Sequence, residues 1–252
     1  MAVKYDALRD TALQELRNYM DSLDEDKAAK LAYWIKDYTH FLSKEATFAP
    51  EKLIRYKRGS IVKAHLGYRI GSEEGGLHYA IVMDRKNSIY SPTVTVIPLT
   101  SVKPESDFSK LPLSKLHIEN EVYSVLRTNL DAEIRTAKQL IQRLEDLTKN
   151  LNVNDTTCDA SIAIAKIEAQ IIPIAKQVEY CTKMKKEVSH MKTGSIALVG
   201  QITTISKIRI YDPKYKSDAL SKVRVSDETL DKLDARVQEL FGPQNKKSHQ
   251  EP

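Results

Sequence analysis

KRGSIVKAHLGYRIGSEEGGLHYAIVMDRKNSIYSPTVTVIPLTS, residues 57–101, is where the chain declares its β-structure. Within it RGSIVKAHLG (58–67), HYAIVMDR (78–85) and TVTVIPLT (93–100) are short runs rich in β-branched or aromatic residues, the composition of strands. KNSIYSP (86–92) joins the last two as a polar turn. GSEEGG (71–76) is a glycine-rich loop in front of His78. Its glycines let the backbone bend where side chains would clash. A histidine where such a loop enters a strand is placed either to pack or to act.

Outward from this stretch, KLPLSKLHI (110–118) reads as a short edge strand, with Pro112 confining it to an edge or an entry position. GSIALVGQITTISKIRI (194–210) supplies two more short strands with a kink near Gly200. Closing five such strands predicts a small, strongly curved β-barrel.

The flanks are helical. Leu13, Leu16, Met20 and Leu23 form one apolar stripe; Leu31, Trp34, Ile35, Tyr38 and Phe41 form the next. DSLDED (21–26) between them carries stop and N-cap chemistry, so residues 5–44 predict a helical hairpin with Trp34 as a packing anchor. SDETLDKLDARVQELFG (226–242) predicts a C-terminal helix capped by Ser226 or Asp227 and stopped at Gly242.

The two halves of the β unit are separated by a periodic insertion. Leu130, Ile134, Ala137, Ile141, Leu144, Thr148 and Leu151 alternate steps of four and three, as do Ile164, Ile167, Ile171, Ile174, Val178, Cys181, Lys185 and Val188. Two heptad seams joined by the polar NVNDTTCDAS (152–161) predict an antiparallel coiled coil with arms of roughly 30 residues, about 45 Å long. Pro173 is expected to kink the second arm, and Cys181 to be a small core residue rather than a nucleophile. The expected division is a helical hairpin over 1–51, a split β unit with its helix over 52–118 and 193–242, the insertion over 119–192 and a disordered tail over 243–252.

Of 252 residues, 41% are hydrophobic and 29% charged, with a net charge of +5. The excess positive charge lies in 52–117 and 195–225, the two β segments, whereas 118–194 is neutral. A basic β unit favours a polyanionic partner, although a solubilising surface has the same composition. Cys158 and Cys181 fit no metal or disulfide spacing, which makes a reducing cytoplasm the expectation. The sequence shows neither a signal-type start nor an apolar run of membrane length, so no membrane association is expected.

The blocks KRGSIVKAHLG, IGSEEGGLHYAIVM and NSIYSPTVTVIPLTS resemble the MazF/PemK toxins of bacterial type II toxin–antitoxin systems. Their pattern runs Arg-Gly-(Asp/Glu)-(Ile/Val), then Gly-Ser-Glu-Gln-Gly-Gly, then an Arg-Pro that opens a strand, then Ser-Pro-Thr and a strand ending in Thr or Thr-Ser. SIALVGQITTISKIRI is similar to the family's segment ending Gln-Ile-x-Thr-Ile-x-Lys, and SDETLDKLDARV to its last helix. About 100 residues are covered; the N-terminal helices and the insertion are not. The resemblance implies an α+β fold built on an SH3-like barrel, commonly a homodimer. It implies an endoribonuclease for single-stranded RNA, with no metal or other cofactor and with an antitoxin protein as inhibitor. In that family the ribose 2′-hydroxyl attacks the adjacent phosphorus, leaving 2′,3′-cyclic phosphate and 5′-hydroxyl ends.

Carried over by position, the family's catalytic threonine falls on Thr100, with Ser101 beside it. The arginine's place is taken by His78, and that of the following proline by Tyr79. Arginine holds a permanent charge in a bidentate fork, whereas a histidine takes or gives a proton near neutrality. His78 is therefore expected as acid or base, with Thr100 holding a non-bridging oxygen or relaying a proton. The missing positive charge is sought among Arg58, Arg69 and Lys103. Ser72, Gly75, Gly76 and Ser101 are candidates for RNA contact, Glu73 and Glu74 for orienting His78 or rejecting misplaced phosphate, and Gln201 for reading a base edge. Each has a plain structural alternative: a hydrogen-bonded histidine, a strand-end threonine, loop glycines, a strand-bridging glutamine. A catalytically silent barrel that binds RNA or a protein stays open beside the ribonuclease, as does a toxin aimed at a protein target.

Overall fold

The computed structural model of the chain describes residues 2–103, 106–149, 158–191 and 194–243. They fall into two compact units, Met1–Phe48 with His65–Leu77, and Ala49–Ala64 with His78–Pro252.

The second unit is organised on an antiparallel sheet. Its strands are β1 (Ile61–His65), β2 (Leu77–Val82), β3 (Thr93–Ser101), β4 (Leu116–His117), β5 (Ser195–Ala197), β6 (Thr203–Ser206) and β7 (Ile210–Asp212), in the order β4-β5-β3-β2-β1-β7. The nine-residue β3 has two partners on one side, β6 along its first half and β5 along its second. Register explains the division. Leu99 faces Ala197 but Val96 faces Thr203, and the three-residue 3-10 turn Val199–Gln201 takes up the difference. The kink expected near Gly200 is this turn; with a second turn at Lys207–Arg209 it divides the segment into three strands instead of two. Among the described residues the sheet is open, with β4 and β7 at its ends, so hydrogen bonding does not close the ring that five strands implied. The two end strands, two and three residues long, offer few groups for closure.

Strand alternation separates two faces. Ile61, Ile81, Ile97, Leu99 and Ala197 point into a core that also holds Leu126 and Leu130, Met184 and Val188, and Leu230 and Leu233. Val62, Ala80, Val82 and Val96 alternate with these and are also buried, so both faces are covered along the middle strands.

The helices of the first face are α3 (Glu121–Lys149), α4 (Cys158–His190) and α5 (Asp227–Phe241). The first turns of α3 and the last turns of α4 are built into the sheet's core, while Ile141, Ile164, Ile171 and Val178 farther along are 39–52% exposed. The heptad positions thus serve as core near the sheet and become half-covered along the arm. Helix α4 continues through Pro173. Leu151 and residues 152–157 of the polar turn lie outside the described residues, as does the tail from 244, whereas residues 158–161, expected in that turn, already belong to α4. Ser226 caps α5 by accepting from the Thr229 amide at 3.2 Å, and Glu121 of α3 accepts from the Ser226 amide and the Thr229 hydroxyl.

In the first unit, α1 (Ala2–Asp21) and α2 (Glu25–Glu45) form the expected helical pair. Asp24 caps α2, its side chain accepting from the Lys27 amide at 2.9 Å. Leu31 is buried, whereas Leu13 and Tyr38 of the expected stripes are 59% and 50% exposed. Trp34 packs as an anchor, its ring 4.5 Å from that of His65 in a stacked arrangement.

Candidate active site

The site begins with register. Ala80 faces Pro98, Ile81 faces Ile97 and Val82 faces Val96; the same register continued by two residues sets His78 opposite Thr100. Thr100 in turn faces Ile196 of β5, and Ile196 faces His117 of β4. Directly opposed residues of an antiparallel pair project to the same side. His78, Thr100, Ile196 and His117 therefore form one cross-strand row, on the face turned away from the helices. The next row, Tyr79, Leu99, Ala197 and Leu116, belongs to or packs on the helix-side core, as alternation requires.

His78 is half-buried, and its Nδ1 lies 3.3 Å from the Leu99 carbonyl oxygen. A carbonyl only accepts, so Nδ1 donates; in the neutral ring this leaves the lone pair on Nε2. Thr100 is half-buried. Ser101 is exposed and opposes Ser195, so alternation directs it to the other face from Thr100. Lys103 follows with an exposed side chain, its amide donating to Ser106 Oγ at 3.0 Å.

Tyr79, where the resembling family has proline, has a defined task. Its hydroxyl donates to Glu187 of α4 at 2.6 Å, and Lys63 pairs with the same carboxylate at 2.9 Å while lying 5.4 Å from the tyrosine ring centre. Burial, then the bond to Glu187, pushes the Tyr79 hydroxyl up, so it stays protonated as donor. Proline could supply no such donor. The tyrosine at this position thus ties β2 to helix α4.

The remaining candidates divide. In the first unit the loop is closed by backbone bonds from Leu66 to Gly76 (2.8 Å) and from Gly76 to Gly67 (2.6 Å). A Cβ at Gly75 would lie 2.8 Å from Arg69 Cβ and 2.9 Å from the Gly67 oxygen, and Gly76 has φ +83°; both glycines are required by the turn itself. Glu73 accepts from the Ile70 amide at 3.2 Å, within the same loop. Arg69 and Ser72 are exposed there. In the second unit the Arg58 guanidinium donates to the Met83 carbonyl and pairs with Asp234 of α5, which ties it to the framework. Gln201 is half-buried in the 3-10 turn. Lys207, closing QITTISK, is buried; it donates to the Ser88 carbonyl at 2.9 Å, and burial lowers its pKa. Sequence reasoning missed His117 and its ring partner Phe108, because only the pairings of β5 reveal that His117 shares a row with Thr100.

Among the described residues no three His, Cys, Asp or Glu side chains are grouped to hold a metal ion, and no helix is long and apolar enough to cross a membrane. The chain thus has an antiparallel sheet backed by helices on one face, with a His–Thr pair at a strand entrance on the other. Residues 57–151 match the family described as PemK-like, MazF-like toxin of type II toxin-antitoxin system. The match covers β1 to β4 and all of α3; the blocks beyond residue 193 lie outside it. No curated protein matches the chain by sequence.

Proposed function

We propose that the protein is the toxin of a type II toxin–antitoxin system and cleaves single-stranded RNA without a metal ion. The observation that carries this reading is the cross-strand placement of His78 and Thr100 within the segment that matches the toxin family. His78 Nε2 takes the proton of a ribose 2′-hydroxyl; O2′ bonds to the adjacent phosphorus, the P–O5′ bond breaks, and the leaving oxygen takes up a proton. The products carry a 2′,3′-cyclic phosphate and a 5′-hydroxyl. Thr100 donates to a non-bridging oxygen, and Lys103, exposed just beyond β3, supplies the positive charge that arginine would bring. In this reading the curved sheet is an elaborated SH3-like barrel and α3–α4 an antiparallel coiled coil. The protein works in the cytoplasm as a homodimer restrained by an antitoxin.

The test is incubation of the full chain with a long unstructured RNA in the presence of EDTA, beside His78→Ala and Thr100→Ala. Cleavage that falls at least about 100-fold in His78→Ala, and substantially in Thr100→Ala, is expected from loss of a general base and of an oxyanion donor. RNA that is bound but left intact would overturn the reading and favour a catalytically silent binding protein.

A further inference from the structure

The row that carries His78 and Thr100 ends at an aromatic pair. The rings of His117 and Phe108 lie 3.8 Å apart with planes inclined by only 10°. Phe108 opens the short turn Phe108–Lys110, which Asp107 caps by accepting from the Ser109 amide at 3.0 Å and from the Ser109 hydroxyl at 2.6 Å. The ring is therefore held in place by a tight turn. It contributes nothing to the hydrophobic core cluster and remains 43% exposed, with one face backed by an imidazole. Strands lie about 4.8 Å apart, which puts the His117 backbone roughly 10 Å from Thr100 along the row. Lys103 stands exposed on the same connecting segment, as does Lys110, which pairs with Asp107 at 3.3 Å and so neutralises the capping carboxylate beside the ring.

An exposed aromatic face beside lysines is the arrangement by which proteins hold single-stranded nucleic acid: bases stack on the ring while ammonium groups follow the phosphates. We propose that Phe108, backed by His117, is a stacking platform for one base of the RNA strand next to the scissile phosphate. The inference rests on the ribonuclease reading above and adds a subsite to it. Because the platform offers a π-face rather than hydrogen bonds, it prefers purines modestly and excludes no base.

The test uses the full chain carrying His78→Ala, so that bound RNA stays uncut, and a single-stranded RNA containing 2-aminopurine, whose fluorescence falls when the base stacks. Quenching on binding is expected. Phe108→Ala and Phe108→Leu added to this background should remove the quenching and weaken binding about tenfold, the effect of losing one base–aromatic stack, whereas Phe108→Trp should keep both. An unchanged melting temperature checks that the turn survives. Equal affinity and equal quenching in Phe108→Ala would overturn the platform. If the otherwise wild-type chain still cuts RNA, that result leaves the ribonuclease reading standing. A chain that neither binds nor cuts RNA would overturn both.

Discussion

Arginine at position 78 would restore the residue that the resembling toxins place at this strand entrance, and it separates two roles that a single alanine exchange confounds. If His78 acts by moving a proton, His78→Arg should cleave more slowly than the parent by one to two orders of magnitude, because a guanidinium stabilises charge but does not deprotonate at working pH. If charge alone were needed, His78→Arg would match the parent in single-turnover cleavage. Tyr79 is a structural counterpart one residue away. Removing its hydroxyl with Tyr79→Phe takes one donor from the Glu187 carboxylate but leaves Lys63 in place, so a loss of about 1–2 kcal/mol is expected in urea denaturation. Gly75→Ala forces a Cβ against Arg69 and the Gly67 carbonyl, and should lower the melting temperature by displacing the loop backbone.

Helices α3 and α4 change character along their length. Leu126 is fully buried where α3 meets the sheet, so Leu126→Ala should cost about 2–5 kcal/mol in urea denaturation. Ile171→Ala, at a position 52% exposed on the arm, should stay within about 0.5 kcal/mol. The sequence announces both positions in the same way, as members of a seven-residue repeat. Periodicity tells which side of a helix is apolar but not how much of that side a neighbour covers. Strands show the complementary limit. The alternation in HYAIVMDR and TVTVIPLT is legible, as are the caps at Asp24 and Ser226. The row from His78 to His117 is not legible, because it depends on the registers of β3 and β4 with β5, a strand that follows helices α3 and α4. Thr100 and His78 were found through the family pattern; Phe108 and His117 had no signal of that kind.

For the molecule as a whole, Asp212 sets a dependence of stability on pH. Burial, aided by the nearby Asp218 and Glu187 carboxylates, pushes it up to about 6, from an ordinary value near 4. The folded state holds this proton more tightly than the unfolded chain does. The group's stabilising contribution is therefore fully present below pH 4 and is lost as pH rises to about 6, a change of about 2–3 kcal/mol. Asp212→Asn keeps an acceptor for the Leu220 amide, so denaturation midpoints measured at pH 4 and pH 7 should show the variant gaining on the parent at the higher pH. A constant difference between the two proteins would refute the assignment. In the proposed function this basic sheet cuts RNA through an internal nucleophile. Mass spectrometry of the fragments released from a defined single-stranded RNA with EDTA present tests it most directly. Fragments ending in 2′,3′-cyclic phosphate and beginning with 5′-hydroxyl, absent with His78→Ala, are the predicted result; 5′-phosphate ends, or identical fragments from the variant, would contradict it.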